Sequence, residues 1–199
     1  MVKKFGGIEL GGALGGYDIV NIPADKLPQE VASAVSAANG NHLLGATYNP
    51  LWYVGSQVVN GMNYLFVAED IRSTKNKDKS IVGLVINVPP GENAIKGEGA
   101  KVVQVIESEK LAPEVQTAFS TAEKSLIGAS YKPVLYIGKQ VARGENHYIV
   151  CESCVISPGA TPRAVIMGIN IFEGKSTIIG IMPIPTGKEQ TLFGYAFNW

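Results

Sequence analysis

Two stretches of this chain are near-copies of each other, and that repetition limits what it can fold into more than any other feature. Leu43-Leu-Gly-Ala-Thr-Tyr-Asn-Pro50 returns 83 residues later as Leu126-Ile-Gly-Ala-Ser-Tyr-Lys-Pro133, with five of eight positions identical. At the same offset Tyr53, Gly55, Gln57, Val58, Gly61, Asn63 and Glu69 meet Tyr136, Gly138, Gln140, Val141, Gly144, Asn146 and Glu152, and Ile86-Asn87 meets Ile169-Asn170. Upstream the offset is 84, pairing Lys26-Leu27 with Lys110-Leu111 and Glu30-Val31 with Glu114-Val115. At roughly 100–150 residues per domain, length alone allows one domain or two. The repeat decides for two, residues 1–98 and 99–199, the second with an aromatic tail from Lys188 to Trp199.

Each copy carries the same order of patterns. A short Val- and Ile-rich piece, Tyr17 to Ile22 or Lys101 to Ile106, reads as extended. Apolar residues then recur at steps of three and four, Leu27, Val31, Ala34, Val35 and Ala38 in copy one and Leu111, Val115, Ala118, Phe119, Ala122 and Leu126 in copy two. That spacing predicts helices over about 25–39 and 109–127, each with one apolar stripe. Pro28 and Pro113 fit a first helical turn, where the early N–H groups have no partner inside the helix. Strand-like runs follow in pairs, Leu51 to Val58 with Met62 to Ala68 and Val134 to Val141 with Asn146 to Ile156, around glycine-bearing turns. Two more strands close each copy, Ile81 to Val88 and Asn93 to Gly97 in the first, Ala164 to Phe172 and Thr177 to Ile184 in the second. The unit reads β-α-β-β-β-β, and a striped helix packed on a sheet with one buried face makes an α+β layer pair.

Lys+Arg 17 against Asp+Glu 17 leaves no basic excess for phosphates, which argues against nucleic acid and anionic membranes as partners. A hydrophobic fraction of 46% supplies a core and excludes disorder. The 38 residues between Glu30 and Glu69 hold no charge, but five asparagines and Pro50 interrupt them too often for the roughly 20 apolar residues of a membrane helix. The glycine-rich stretch from Phe5 to Leu14, with Glu9 inside it, lacks the apolar run of a secretory signal, and a cytoplasmic location is expected.

Cys151 and Cys154 have C-x-x-C spacing, but in a β-branched run where positions three apart face opposite sides of a strand. They are expected to stay reduced and unbridged. With only His42 and His147 besides, four zinc ligands are not assembled, and no nucleophile elbow, phosphate loop or spaced acid cluster is present. No metal, no cofactor and no enzymatic activity are expected. Trp52, Tyr53, Tyr64 and Phe66 read as core and sheet-face residues rather than a ligand cage.

Gln57-Val58-Val59-Asn60-Gly61, between two strands and downstream of a strand and a helix, resembles the Gln-x-Val-x-Gly hairpin of the cystatin superfamily of cysteine-protease inhibitors. Met62-Asn63-Tyr64-Leu65-Phe66-Val67 is similar to that family's next strand, and copy two shows the looser Gln140-Val141-Ala142-Arg143-Gly144. The element order is similar over nearly all of both copies, and the stefin-like, disulfide-free branch is the nearer one. The resemblance implies two cystatin-like repeats and reversible inhibition of a papain-like cysteine protease by filling its cleft. It implies contact through a trunk at Gly15 and Gly16, the hairpin residues Gln57, Val58, Val59, Asn60 and Gly61, and a second loop at Pro89 and Pro90.

The residue types suit that task. A cleft is concave and partly apolar, so a probe for it is narrow, apolar and already rigid. The second loop lacks the tryptophan many members carry there. In copy two Ala142 and Arg143 change the hairpin, Phe172-Glu173-Gly174 replaces the double proline, and Gly97 to Gly99 is a link rather than a free trunk. Gln140, Val141, Ala142, Arg143 and Gly144 form a second, weaker candidate site. Opening of the first hairpin, driven by strain near Val59-Asn60, would exchange elements between molecules and give a domain-swapped dimer. The reading from a different class is a tandem module for interaction, adhesion or scaffolding without inhibition, since fold does not fix function.

Overall fold

The computed structural model describes residues 8–9, 17–40, 46–72, 79–91, 93–107 and 111–184. The chain divides into two compact units, Ala13–Glu107, and Met1–Gly12 together with Ser108–Trp199. In chain order the strands are β1 (Ile8–Glu9), β2 (Asp18–Pro23), β3 (Ala46–Val59), β4 (Gly61–Arg72), β5 (Lys79–Val88), β6 (Lys101–Ile106), β7 (Ala129–Ala142), β8 (Gly144–Val155), β9 (Arg163–Phe172) and β10 (Lys175–Pro183). The helices are α1 (Gln29–Gly40) and α2 (Pro113–Glu123). Each unit has one five-stranded sheet, β2-β3-β4-β5-β6 in the first and β1-β7-β8-β9-β10 in the second. All pairings are antiparallel except the two-residue contact of β1 with β7.

The α+β class of two cystatin-like, helix-on-sheet repeats is corrected by this architecture, which is predominantly β: among the described residues ten strands stand against two α-helices of 12 and 11 residues. The physical reason lies in burial. The helices do bury their stripes: Val31, Ala34 and Ala38 join Tyr53, Phe66, Leu84 and Ile86, while Val115, Ala118, Phe119 and Ala122 join Ile149, Val165 and Met167. The other face of each sheet is buried as well. Leu65, Val67, Ile81 and Val85 alternate with Phe66, Ala68, Val82 and Leu84 and are equally inaccessible, as are Val150 and Ile166 beside Ile149 and Met167. Strands apolar on both faces make sheet, not helix, the substance of the core.

β3 and β7 share a second device. Their ladders slip between Pro50 and Trp52 and between Tyr53 and Gly55, and again at the equivalent Pro133 to Leu135 and Tyr136 to Gly138. Two bulges this close break the alternation of faces, and Leu51 to Gly55 are buried in succession.

Two further expectations shift. Asn93 to Gly97 is no strand but a single 3-10 turn, Ala94–Lys96, following Pro89 and Pro90. The open edge of β5 is taken instead by β6, which the repeat assigns to the opening of copy two. In the second unit Glu173 and Gly174 alone separate β9 from β10, so that strand returns at once. No helix among the described residues is long and apolar enough to cross a membrane.

Candidate hairpin edge and neighbouring polar groups

The β3–β4 hairpin pairs Gln57 with Asn63, Val58 with Met62 and Val59 with Gly61, leaving Asn60 alone at the tip. Val58 is 73% exposed and Val59 41%, an unusual display for β-branched residues in a strand. Gly61 has φ 102°, a conformation that L side chains rarely adopt, and an added Cβ would meet the Val88 carbonyl oxygen. The hairpin tip and the end of β5 are therefore in backbone contact. Met62 pairs with Val88, and Pro89 and Pro90 follow directly, the first half-buried and the second exposed. The hairpin tip and the start of the proline loop thus lie side by side, along an edge that is apolar at Val58, Val59, Pro89 and Pro90 and polar at Asn60, its backbone stiffened by proline and strand pairing.

A row of amides underlies that edge. Asn63 Nδ2 donates to Gln57 Oε1 at 3.1 Å, and Asn87 Nδ2 donates to Asn63 Oδ1 at 2.9 Å. Burial pushes the Tyr17 phenol up to about 12, a shift that the Asn63 side chain opposes. Asp18 pairs with Ser56, so the start of β2 runs beside the hairpin. Gly15 and Gly16 lie outside the described residues, as do His42 and the 188–199 tail. Asn63 and Asn87 were not among the candidate site residues, although both recur at the repeat offset together with Gln57. That recurrence of three amides at fixed spacing was the signal.

The second unit repeats the row with different surroundings. Asn146 Nδ2 donates to Gln140 Oε1 at 3.3 Å, and Asn170 Nδ2 to Asn146 Oδ1 at 2.7 Å and to the Arg143 carbonyl at 3.1 Å. The Arg143 guanidinium lies over the Phe172 ring, 4.9 Å from its centre. Val141, Ala142 and Arg143 are exposed, and a Cβ on Gly144, at φ 87°, would meet the Ile171 carbonyl. The geometry of the turn is kept while its tip carries a charge.

Other polar chemistry is structural in form. His147, 1% exposed, shares a 3.0 Å hydrogen bond with the Tyr136 hydroxyl through Nδ1, and its Nε2 is 3.6 Å from a Glu145 oxygen, too far for a hydrogen bond. Glu145 also pairs with Lys139. Burial holds the His147 imidazole below its ordinary range. Cys151 and Cys154 are free thiols, the first buried and pushed up by burial, the second half-buried. Among the described residues no group of His, Cys, Asp and Glu is arranged to hold a metal. Trp52, Tyr53 and Phe66 are buried in the sheet, as expected of core residues.

No protein-family model and no curated protein matches this chain.

Proposed function

We propose that the chain is a reversible inhibitor of papain-like cysteine proteases, acting through the first-unit edge formed by Val58, Val59, Asn60, Pro89 and Pro90. The observation that carries this reading is the 73% exposure of Val58 at a tip whose backbone is fixed against Val88. An exposed β-branched side chain on a stiff, narrow hairpin binds without an ordering cost and loses its apolar contact with water when it enters a cleft. Gln57, beside the tip, offers donors and an acceptor to the cleft wall. Resemblance of Gln57 to Gly61 to the inhibitory hairpin of the cystatins supports the choice of target class. Arg143 makes the second-unit tip the poorer probe, since an apolar cleft would strip its hydration.

Titration of papain and several cathepsin-type proteases with the purified protein tests this. One molecule is expected to silence one enzyme reversibly, and Val58→Asp is expected to weaken inhibition roughly tenfold or more. Full protease activity at micromolar protein would overturn the reading and favour a non-inhibitory tandem module.

A further inference from the structure

We infer that Asn63 is the positioning residue of the binding edge, a side chain that ties the base of the first hairpin to the strand end leading into the proline loop. It stands on β4 directly opposite Gln57 of β3 and Asn87 of β5. Its amide nitrogen donates to Gln57 at the base of the first hairpin, and its oxygen accepts from Asn87 one residue before Val88 and the proline loop. An amide with both ends engaged must exchange a hydrogen bond when either neighbour moves, which couples the hairpin base to the end of β5.

The second unit supplies a comparison within the same chain. Asn146 holds Gln140 and Asn170 as Asn63 holds Gln57 and Asn87, and the Gln140 oxygen there also accepts from the Tyr148 hydroxyl at 3.1 Å. Preorganisation of a multi-segment surface lowers the ordering cost of binding and shows chiefly in the dissociation rate.

Hydrogen–deuterium exchange on the full-length protein reads this role without any protease, and only the last step rests on the inhibitory reading. Asn63→Ala is expected to speed exchange roughly tenfold at the amides of 57–62 and at Val88 with Gly91 together, while Asn146→Ala leaves those segments unchanged. With papain, Asn63→Ala is expected to raise the dissociation rate roughly tenfold with the association rate nearly constant. Loosening confined to one of the two segments would overturn this role. So would unchanged dissociation in a variant whose edge has loosened. A wild-type protein that leaves papain active refutes the proposed function, and exchange still decides the position of Asn63.

Discussion

The carbonyl oxygen of Val88 stands 2.1 Å from where a Cβ on Gly61 would lie, so the hairpin and the neighbouring loop exclude every residue but glycine between them. The same contact recurs in the second unit at 2.3 Å between Gly144 and the Ile171 carbonyl.

Gly61→Ala and Gly144→Ala should therefore each destabilise the fold, by about 1–2 kcal/mol from the left-handed backbone alone and more from the displaced strand end. Urea denaturation would measure both losses. Inhibition separates the two: Gly61→Ala should weaken it roughly tenfold or more and Gly144→Ala hardly at all. The reverse ranking would assign the working edge to the second unit.

Acidification should destabilise the protein through His147. Burial lowers its pKa from 6.5, with Lys139 acting in the same direction and Glu145 and Glu114 opposing, and Tyr136 occupying Nδ1. A base with a lowered folded pKa binds fewer protons folded than unfolded, so stability rises with pH across that window and is lost as pH falls below the ordinary value. Glu145, held below its usual range by Lys139, gives up its own contribution only further down, through the carboxylate range. The urea midpoint should fall between about pH 7.5 and about pH 5.5, and His147→Gln should flatten that dependence. An NMR titration showing an unshifted His147 would contradict the assignment without relying on the variant.

The two thiols should differ. Burial makes Cys151 unreactive, whereas Cys154 is only half-buried. A thiol reagent should label Cys154 alone in native protein and both cysteines in denaturant. Recovery of an intramolecular disulfide from native protein would show that the two sulfurs can meet.

Exchange of elements between molecules would begin by straightening the first hairpin. The strain expected at Val59-Asn60 is absent, because the positive φ falls on Gly61. Dimers should therefore form only after partial unfolding, and size-exclusion chromatography before and after mild heating would detect them. Dimer in unheated protein would mean the hairpin opens from the native state.

The helices were legible because a stripe such as Val115, Ala118, Phe119 and Ala122 has one period and one buried face. The hairpins were legible because Gly61 and Gly144 mark turns between β-branched runs. Sheet burial was not. Leu65-Phe66-Val67-Ala68 is apolar at every position, which tells of two covered faces, but short apolar runs do not announce what lies on each side. The bulges in β3 and β7 hid their phase further, since an extra residue turns every later side chain over. The apolar part of the edge could be read from single residues. The amide row beneath it could not, because Gln57, Asn63 and Asn87 become neighbours only once three strands are in register.

Lys101–Ile106 matches Tyr17–Ile22 in the repeat yet hydrogen-bonds to Lys79–Val88. The period of the text and the period of the fold are thus one strand out of phase. A gene cut at the seam of the repeat would strip β5 of its neighbour and hand the second half a strand that completes nothing there. Shuffling, truncation or grafting of these modules has to follow the hydrogen bonds, keeping Lys101–Ile106 with the first unit and Ile8–Glu9, which pairs with β7, with the second.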